Sequence, residues 1–296
     1  MGGLQEDYIM KIGYIGGFWA TNIGNSFYNL GALHFLKEVF GKDDVYFIPD
    51  PPQEYWSTIK HDYKWIQNLD LDLFIITGPS FNKSHLQVFK PIFDELKRKN
   101  KKIAYLSVSA SAYTEEEASL VSDFINEYPV EFIMTRDEVT YNLYKDKVKT
   151  KIFNGICTSM YLNDAVNVPL VNDDYIVSNF SYFKEPKIEF KNDQWVYSHS
   201  FIPKFQNEID GHKVVKPNNS FFIPTFPKIH KGELVFNRGN TYYSDLPYGY
   251  LSILKSAKKV FSDRVHTCAA TLILGGYAMY IKGSKRSGDG RKNIFS

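Results

Sequence analysis

Only two cysteines occur in the 296 residues, Cys157 and Cys268. That is too few for a disulfide framework. Both stand among apolar neighbours, which suits buried, reduced thiols better than a nucleophile and fits a cytoplasmic setting. No apolar run is long enough to span a bilayer: the longest, Cys268 to Ile281, is short and interrupted by Gly275 and Gly276. The N-terminus lacks the apolar stretch of a signal peptide. Gly2 follows Met1, but Glu6 stands where a myristoylation signal needs Ser or Thr. Neither sign of charge dominates: 35 Lys and Arg against 33 Asp and Glu give a net charge of +2. That balance speaks against a nucleic-acid binder. The seven histidines show no metal-ligand spacing, with no His-Glu-x-x-His pair and no Cys-x-x-Cys, so no metal is expected. No local signature marks a serine or cysteine nucleophile.

What remains is globular. Apolar residues make up 44 % and aromatic residues 16 % of the chain. This supplies a packed core; the Tyr and Phe content is best read as strand and core filling rather than as sugar-stacking platforms. The first half alternates strand and helix patterns. Strands are predicted at Met10–Ile15, Val45–Ile48, Leu71–Thr77, Lys102–Val108 and Val130–Met134. The second ends at Pro49, Pro51 and Pro52, the third at Gly78-Pro79. Helices are predicted over Ser26–Phe40, Leu86–Lys99, Thr114 to about Asn126 and Thr135 to about Tyr144. Thr114 with Glu117 and Thr135 with Glu138 have capping-box spacing. Such alternation implies an α/β fold with parallel sheets covered by helices on both faces.

The pattern weakens at Ala165–Asp174, AVNVPLVNDD, which reads as a linker between an N-terminal domain (residues 8–168) and a C-terminal one (174–296). The second set comprises strands at Tyr175–Asn179, Trp195–Tyr197 and Val214–Val215 and a helix at Tyr248–Ala257. It closes with KKVFSDRVHTCAATLILGGYAMYIK, Lys258 to Lys282: strand, turn, helix, glycine pair, strand.

That closing stretch carries the sharpest signal. With Ser262 as N-cap, Val265, Cys268, Ala269 and Leu272 form the buried stripe, and Arg264 and His266 fall in the first turn beside it. A helix N-terminus has partial positive charge and open N–H donors, so cations there call for an anion to join them. The plainer explanation is a surface salt bridge for Arg264 and a satisfied histidine; the strand-end position favours ligand binding. Thr135-Arg136 repeats the arrangement in the first half, although a salt bridge to a neighbouring loop explains Arg136 equally well. In open α/β sheets ligands gather at the carboxyl ends of strands. The first such loop holds Gly16, Gly17, Asn22, Gly24 and Asn25, glycine-rich enough for close backbone approach to a ligand. Its spacing is neither the dinucleotide fingerprint nor a Walker A loop. Asp50 ends the second strand and reads as a turn residue. Gly78, Ser80 and Ser109 follow the third and fourth strands, as cleft lining or as ordinary tight turns. The basic tail with Lys282, Lys285, Arg286, Arg291 and Lys292 reads as a solvated loop, with a peripheral contact to an anionic membrane left open.

These landmarks, GGFWATNIGN, FIITGPS, AYLSVSAS, FIMTRDEVTYNLY and FSDRVHTCAATLILGG, occur in an order that resembles the polysaccharide pyruvyl transferase family, from about Lys11 to Ile281. The resemblance implies a GT-B-like pair of Rossmann-like domains facing across a cleft. It implies transfer of a pyruvyl group from phosphoenolpyruvate, the donor substrate, to sugar hydroxyls, forming a ketal with no cofactor. The acceptor would be a glycan, free or lipid-linked. By the same resemblance His266 is the acid–base group, Arg264 binds the anionic donor and Arg136 is a weaker donor-side candidate. The chain departs from the family where three glycines are common, at Gly78-Pro79-Ser80. It departs again at Asn179, which stands where the family often has a donor-binding arginine; Lys184 and Arg238 are cations that could compensate. Two other functions fit the same residues: a nucleotide-sugar glycosyltransferase, and a non-catalytic glycan- or anion-binding module.

Overall fold

The computed structural model describes residues 10–17, 23–49, 66, 68–180, 186–191, 194–198, 208–209, 211–218, 241–243 and 246–281. These fall into two compact units: residues 10–17 and 32–158 in the first, 23–31 and 159–281 in the second.

The first unit is built on six parallel strands: β1 (Ile12–Gly16), β2 (Val45–Pro49), β3 (Leu73–Phe81), β4 (Lys102–Ala110), β5 (Val130–Thr135) and β6 (Lys151–Asn154). Their order in the sheet is β2-β1-β3-β4-β5-β6. β1 is buried along its whole length, as a strand covered on both faces must be. Leu73 and Ile75 point to one side, where they meet Ala32 and Leu36 from the later turns of α1 (Gly24–Phe40). Phe74 and Ile76 point to the other, among Phe89 and Phe93 of α2 (Lys83–Arg98) and Val121 and Ile125 of α3 (Glu115–Asn126). The period-2 side-chain alternation of β3 thus divides the core into two layers.

The β3 strand does not stop at Gly78-Pro79 as the sequence predicts. It bulges there, with register shifts on both sides of Gly78, and runs on to Phe81. Gly78 takes φ +81°, which only glycine adopts without penalty. Beside it β4 shifts register between Leu106 and Val108, and Ser107 there has φ +57°.

The second unit has five main strands in the order β10-β11-β7-β13-β14, with β12 paired to β11. They are β7 (Tyr175–Asn179), β10 (Glu208–Ile209), β11 (His212–Asn218), β12 (Thr241–Tyr243), β13 (Lys259–Ser262) and β14 (Ala278–Tyr280). All these pairings are parallel except β10 with β11. The expected strand at Trp195–Tyr197 forms but does not join this sheet. As β9 (Gln194–Ser198) it pairs antiparallel with β8 (Lys187–Lys191) in a ribbon of its own. One face of the main sheet packs Tyr175, Val177 and Val260 against Ile23, just before α1, and Phe27 in its first turn. Tyr250 and Leu254 of α6 (Pro247–Ser256) and Ala270 of α7 (Val265–Ile273) complete that layer. Leu162, at the head of the short α5 (Leu162–Ala165), joins it with Val166 and Val168. These three residues therefore pack within the second unit, and the linker expected at 165–174 begins later in the chain than the change of unit at 158/159.

Candidate functional site

In each sheet the strand order reverses direction at one point, the usual place for a ligand in such sheets. In the second unit that point lies between β7 and β13. Asn179 ends β7 and Ser262 ends β13, and the two are register neighbours.

A buried polar network is built there. Asn179 is 4 % exposed and Ser262 fully buried. The Ser262 hydroxyl donates to the Asn179 carbonyl at 2.8 Å and lies 3.2 Å from its Oδ1. It also accepts the N–H of Arg264 at 3.0 Å. Thr267 Oγ1 donates to Asn179 Oδ1 at 3.0 Å and meets the Tyr250 hydroxyl at 3.5 Å. Burial pushes that hydroxyl up to about 12, against the pull of Thr267 and of the Arg264 charge. Ser262 is thus the last strand residue and not the N-cap of the following helix, as its sequence context suggested. Its hydroxyl is engaged by Asn179 and by the Arg264 N–H.

The helix begins two residues later than predicted, with Arg264 at the N-cap position in an extended conformation (φ −108°, ψ 120°) and no side-chain cap bond. His266 becomes the second helical residue. The buried stripe turns with the start: Thr267, Cys268, Ala269, Ala270 and Thr271 are buried, whereas Leu272 is 45 % exposed and Val265 half-buried. Arg264 is itself only 5 % exposed, next to Asp263 at 3 %. A guanidinium so far out of water is costly unless charged or polar groups surround it.

His266 is half-buried. Its ring lies 5.8 Å from that of Tyr28, and its side chain presses on Gly24, the first residue of α1. The helix starts of α1 and α7 therefore meet at this histidine. Arg264, at the N-cap of α7, makes no side-chain capping bond. By contrast Asn82, Thr114 and Asp137 cap α2, α3 and α4 (Glu138–Tyr144). A helix start whose N-cap residue makes no side-chain cap, with a buried arginine and a histidine beside it, is an arrangement that favours an anion.

Of the residues singled out from the sequence, the second unit holds Asn179, Arg264, His266, Gly24 and Asn25. The first four belong to the construction just described, and Asn25, half-buried, follows Gly24 in α1. Asn22, Asp50, Lys184, Arg238 and the basic tail from Lys282 onward lie outside the described residues.

The others are in the first unit. Gly17 follows β1 and is half-buried. Gly78 and Ser80 lie near the end of β3, which places them with Gly17 at that sheet's switch point between β1 and β3. The Ser80 hydroxyl bonds the Thr77 carbonyl across the bulge. Ser109, near the end of β4, is fully buried, and its hydroxyl has no hydrogen-bond partner among the described residues. Arg136 follows β5, three strands from β1, or roughly 14 Å by strand spacing. The sheet therefore does not bring it together with Gly17. Nor does it occupy a first helical turn. β5 runs through Thr135, whose hydroxyl donates to the Phe153 carbonyl. Asp137, in place of the expected Thr135–Glu138 capping box, caps α4 by accepting the Thr140 N–H at 2.8 Å. Arg136 is 6 % exposed, and its N–H donates to the Val108 carbonyl.

Sequence reasoning missed Tyr28, Tyr250, Ser262 and Thr267 as supports of the site. Gly24 and Tyr28 are four residues apart and so share a helix face, which is legible once α1 is known to begin at Gly24. Among the described residues no His, Cys, Asp and Glu cluster could hold a metal ion, and no helix is long and apolar enough to cross a membrane. Both cysteines are buried thiols outside any disulfide, and burial raises the Cys268 thiol well above its usual range, which does not favour a nucleophile.

The chain matches the Polysaccharide pyruvyl transferase family over residues 22–282. It belongs to that family. The family match spans the uncapped α7 start and Asn179. No curated protein sequence matches the chain. Among solved structures, a UDP-N-acetylglucosamine 2-epimerase is similar with a TM-score of 0.56 and 8 % identity, over 96 % of this chain and 81 % of that one. The Methanocaldococcus jannaschii UDP-GlcNAc 2-epimerase, solved with UDP-GlcNAc and UDP, gives 0.52 and 10 % identity over 96 % and 87 %. At such identities the likeness concerns the fold, which is GT-B-like, with parallel sheets flanked by helices.

Proposed function

We propose that this pyruvyl transferase family member takes the pyruvyl group from phosphoenolpyruvate and places it on two hydroxyls of a sugar as a ketal. The acceptor is a glycan or its precursor, free or lipid-linked. The observation that carries the reading is the gathering of Arg264 and His266 at the uncapped start of α7, beside Asn179, in a chain of this family. Phosphoenolpyruvate is small and carries a phosphate and a carboxylate, the chemistry that such a helix start and guanidinium favour.

The reaction is redox-neutral. His266 protonates the methylene carbon of phosphoenolpyruvate, the neighbouring carbon becomes oxocarbenium-like, and a sugar hydroxyl adds to it and gives up its proton. The bond to the phosphate oxygen then breaks, inorganic phosphate leaves, and the second hydroxyl closes the ketal with loss of its proton. Arg264 holds the donor's phosphate or carboxylate through charge-assisted hydrogen bonds. Arg136 is a weaker donor-side contact. The protein works in the cytoplasm, with any membrane contact peripheral.

The test is phosphate release from phosphoenolpyruvate in the presence of a mixed glycan acceptor pool, with product mass spectrometry for the added pyruvyl ketal. Release that depends on acceptor and vanishes in His266→Ala is expected. No release across a broad acceptor panel, together with thermal stabilisation by UDP but not by phosphoenolpyruvate, overturns the reading in favour of a nucleotide-sugar enzyme.

A further inference from the structure

The first residue of α1 is glycine for a reason of space. A methyl group added to Gly24 would stand 2.6 Å from Nδ1 of His266, 2.9 Å from its Cβ and 3.0 Å from its Cγ. The φ of Gly24 lies outside the left-handed region that would itself demand glycine. The residue is buried, so the crowding is not relieved by turning outward into solvent. One turn further along the same helix, Tyr28, 1 % exposed, places its ring 5.8 Å from the imidazole at an interplanar angle of 55°. The histidine is thus flanked by a missing side chain at Gly24 and a fixed aromatic ring at Tyr28. Its close neighbour Thr267 is tied to Asn179 on the opposite strand end.

We propose that Gly24 and Tyr28 are positioning residues: the α1 start, bare at Gly24 and aromatic at Tyr28, sets where the His266 imidazole stands and which way its nitrogens face. The sequence suggested that the glycine-rich loop lets backbone approach a ligand. At Gly24 the close approach is made instead by the histidine. Neither residue need touch the substrate. The catalytic consequence rests on the reading of His266 as the acid–base group; the placement itself does not.

The experiment uses the full-length protein labelled at histidine with ¹³C and ¹⁵N. The His266 signals are identified by their loss in His266→Gln. In Gly24→Ala they should move, with an altered titration midpoint, while the signals of the other histidines stay in place. Alanine is the best helix former and suits the first helical turn, so the fold should survive and a thermal melt can confirm it. Tyr28→Leu, which keeps an apolar side chain without the ring, should also move the His266 signals, and Tyr28→Phe should leave them nearly unchanged. In the transfer assay Gly24→Ala should lower kcat by about 100-fold, with little change in the KM for phosphoenolpyruvate, because misplacing a reacting group by about 1 Å costs that much. His266 signals that coincide in wild type and Gly24→Ala overturn the proposal; a displaced histidine with unchanged kcat upholds the placement and overturns the reading of His266 as the acid–base group. If the wild-type protein transfers no pyruvyl group, the functional reading fails by itself. The resonance comparison still decides whether the α1 start places His266.

Discussion

The β5–α4 and β13–α7 junctions use nearly the same residues in opposite order. Each ends a strand in a buried hydroxyl residue and follows it with a buried Arg and Asp before a helix. At Thr135-Arg136-Asp137 the acid comes second. It lands on the N-cap, where its carboxylate takes the Thr140 N–H and sits favourably in the helix dipole. The helix is satisfied by the chain itself. At Ser262-Asp263-Arg264 the acid comes first and the arginine lands on the N-cap, with no side-chain cap. At the N-cap of α7 stands a buried cation that can accept nothing, with a histidine two residues on, so by cap residue alone the α4 junction is closed and the α7 junction open. Exchanging two neighbouring residue types thus exchanges an acceptor for a cation at the N-cap.

The strongest way to break this comparison is to remove the histidine that only the open junction carries. His266→Ala should lower pyruvyl transfer by about 10²- to 10⁴-fold, the usual contribution of a positioned acid or base. Asp137→Ala at the closed junction should leave kcat within a few-fold of wild type. Equal losses in steady-state kinetics would show that the junctions do not differ in function.

The arginines come next. Arg264→Gln should weaken phosphoenolpyruvate binding by roughly 10- to 100-fold, the worth of a charge-assisted hydrogen bond. Arg136→Gln should weaken it less. Isothermal titration of both variants tests the order, and a larger effect at Arg136 would reverse the ranking of the two junctions.

Stability sharpens the contrast further. Thr267→Val removes one donor to Asn179 and should cost about 1–3 kcal/mol, because a buried amide oxygen loses a partner. Asp137→Ala removes a cap and should cost about 1 kcal/mol. Urea titration measures both, and a cost near zero for Thr267→Val would mean that Asn179 is not held by that network.

The smallest effect concerns acid. In the first unit the Tyr128 hydroxyl, and after it Lys90, hold the Asp94 carboxyl below its usual range. In the second unit Lys258, helped by His212, does the same for Asp174. A carboxyl whose folded pKa is depressed stabilises the fold above its unfolded pKa and loses that contribution as pH falls through the folded value. Asp94→Asn and Asp174→Asn should therefore flatten the loss of melting temperature below about pH 4. Both groups are largely exposed, so the flattening should be slight and weaker still at high salt. A mutant melting profile parallel to wild type across that range would remove the carboxyl concerned from the account.

The alternating pattern, the parallel sheets and the Arg-x-His segment were legible in the sequence. They rest on local periodicity and on the family's ordered landmarks. What was misread was mostly where elements begin and end. Ser262 and Thr135 look like N-caps because a hydroxyl before an apolar helical run is the usual signal. Pairing with Asn179 and Tyr280 holds Ser262 in β13, and pairing with Val108 and Asn154 holds Thr135 in β5. Gly78-Pro79 looks like a stop because the sequence does not show that β4 bulges alongside and lets β3 resume. The strand expected at Trp195–Tyr197 pairs with β8 and not with the main sheet, because a strand pattern does not name its partner.

By itself, the amino-acid sequence determined most of the longer strands and helices and the polar residues near the β7 and β13 ends: a histidine two residues from an arginine, and an asparagine at the end of β7. These depend on neighbours along the chain. Only the tertiary structure decided that Asn179 and Ser262 end side by side, that Thr267 binds that asparagine, and that Gly24 and Tyr28 flank a histidine far along the chain. Those relations depend on which strands pair and which helix starts converge. That choice is made by burying apolar faces against one another, and local sequence carries no direct record of it.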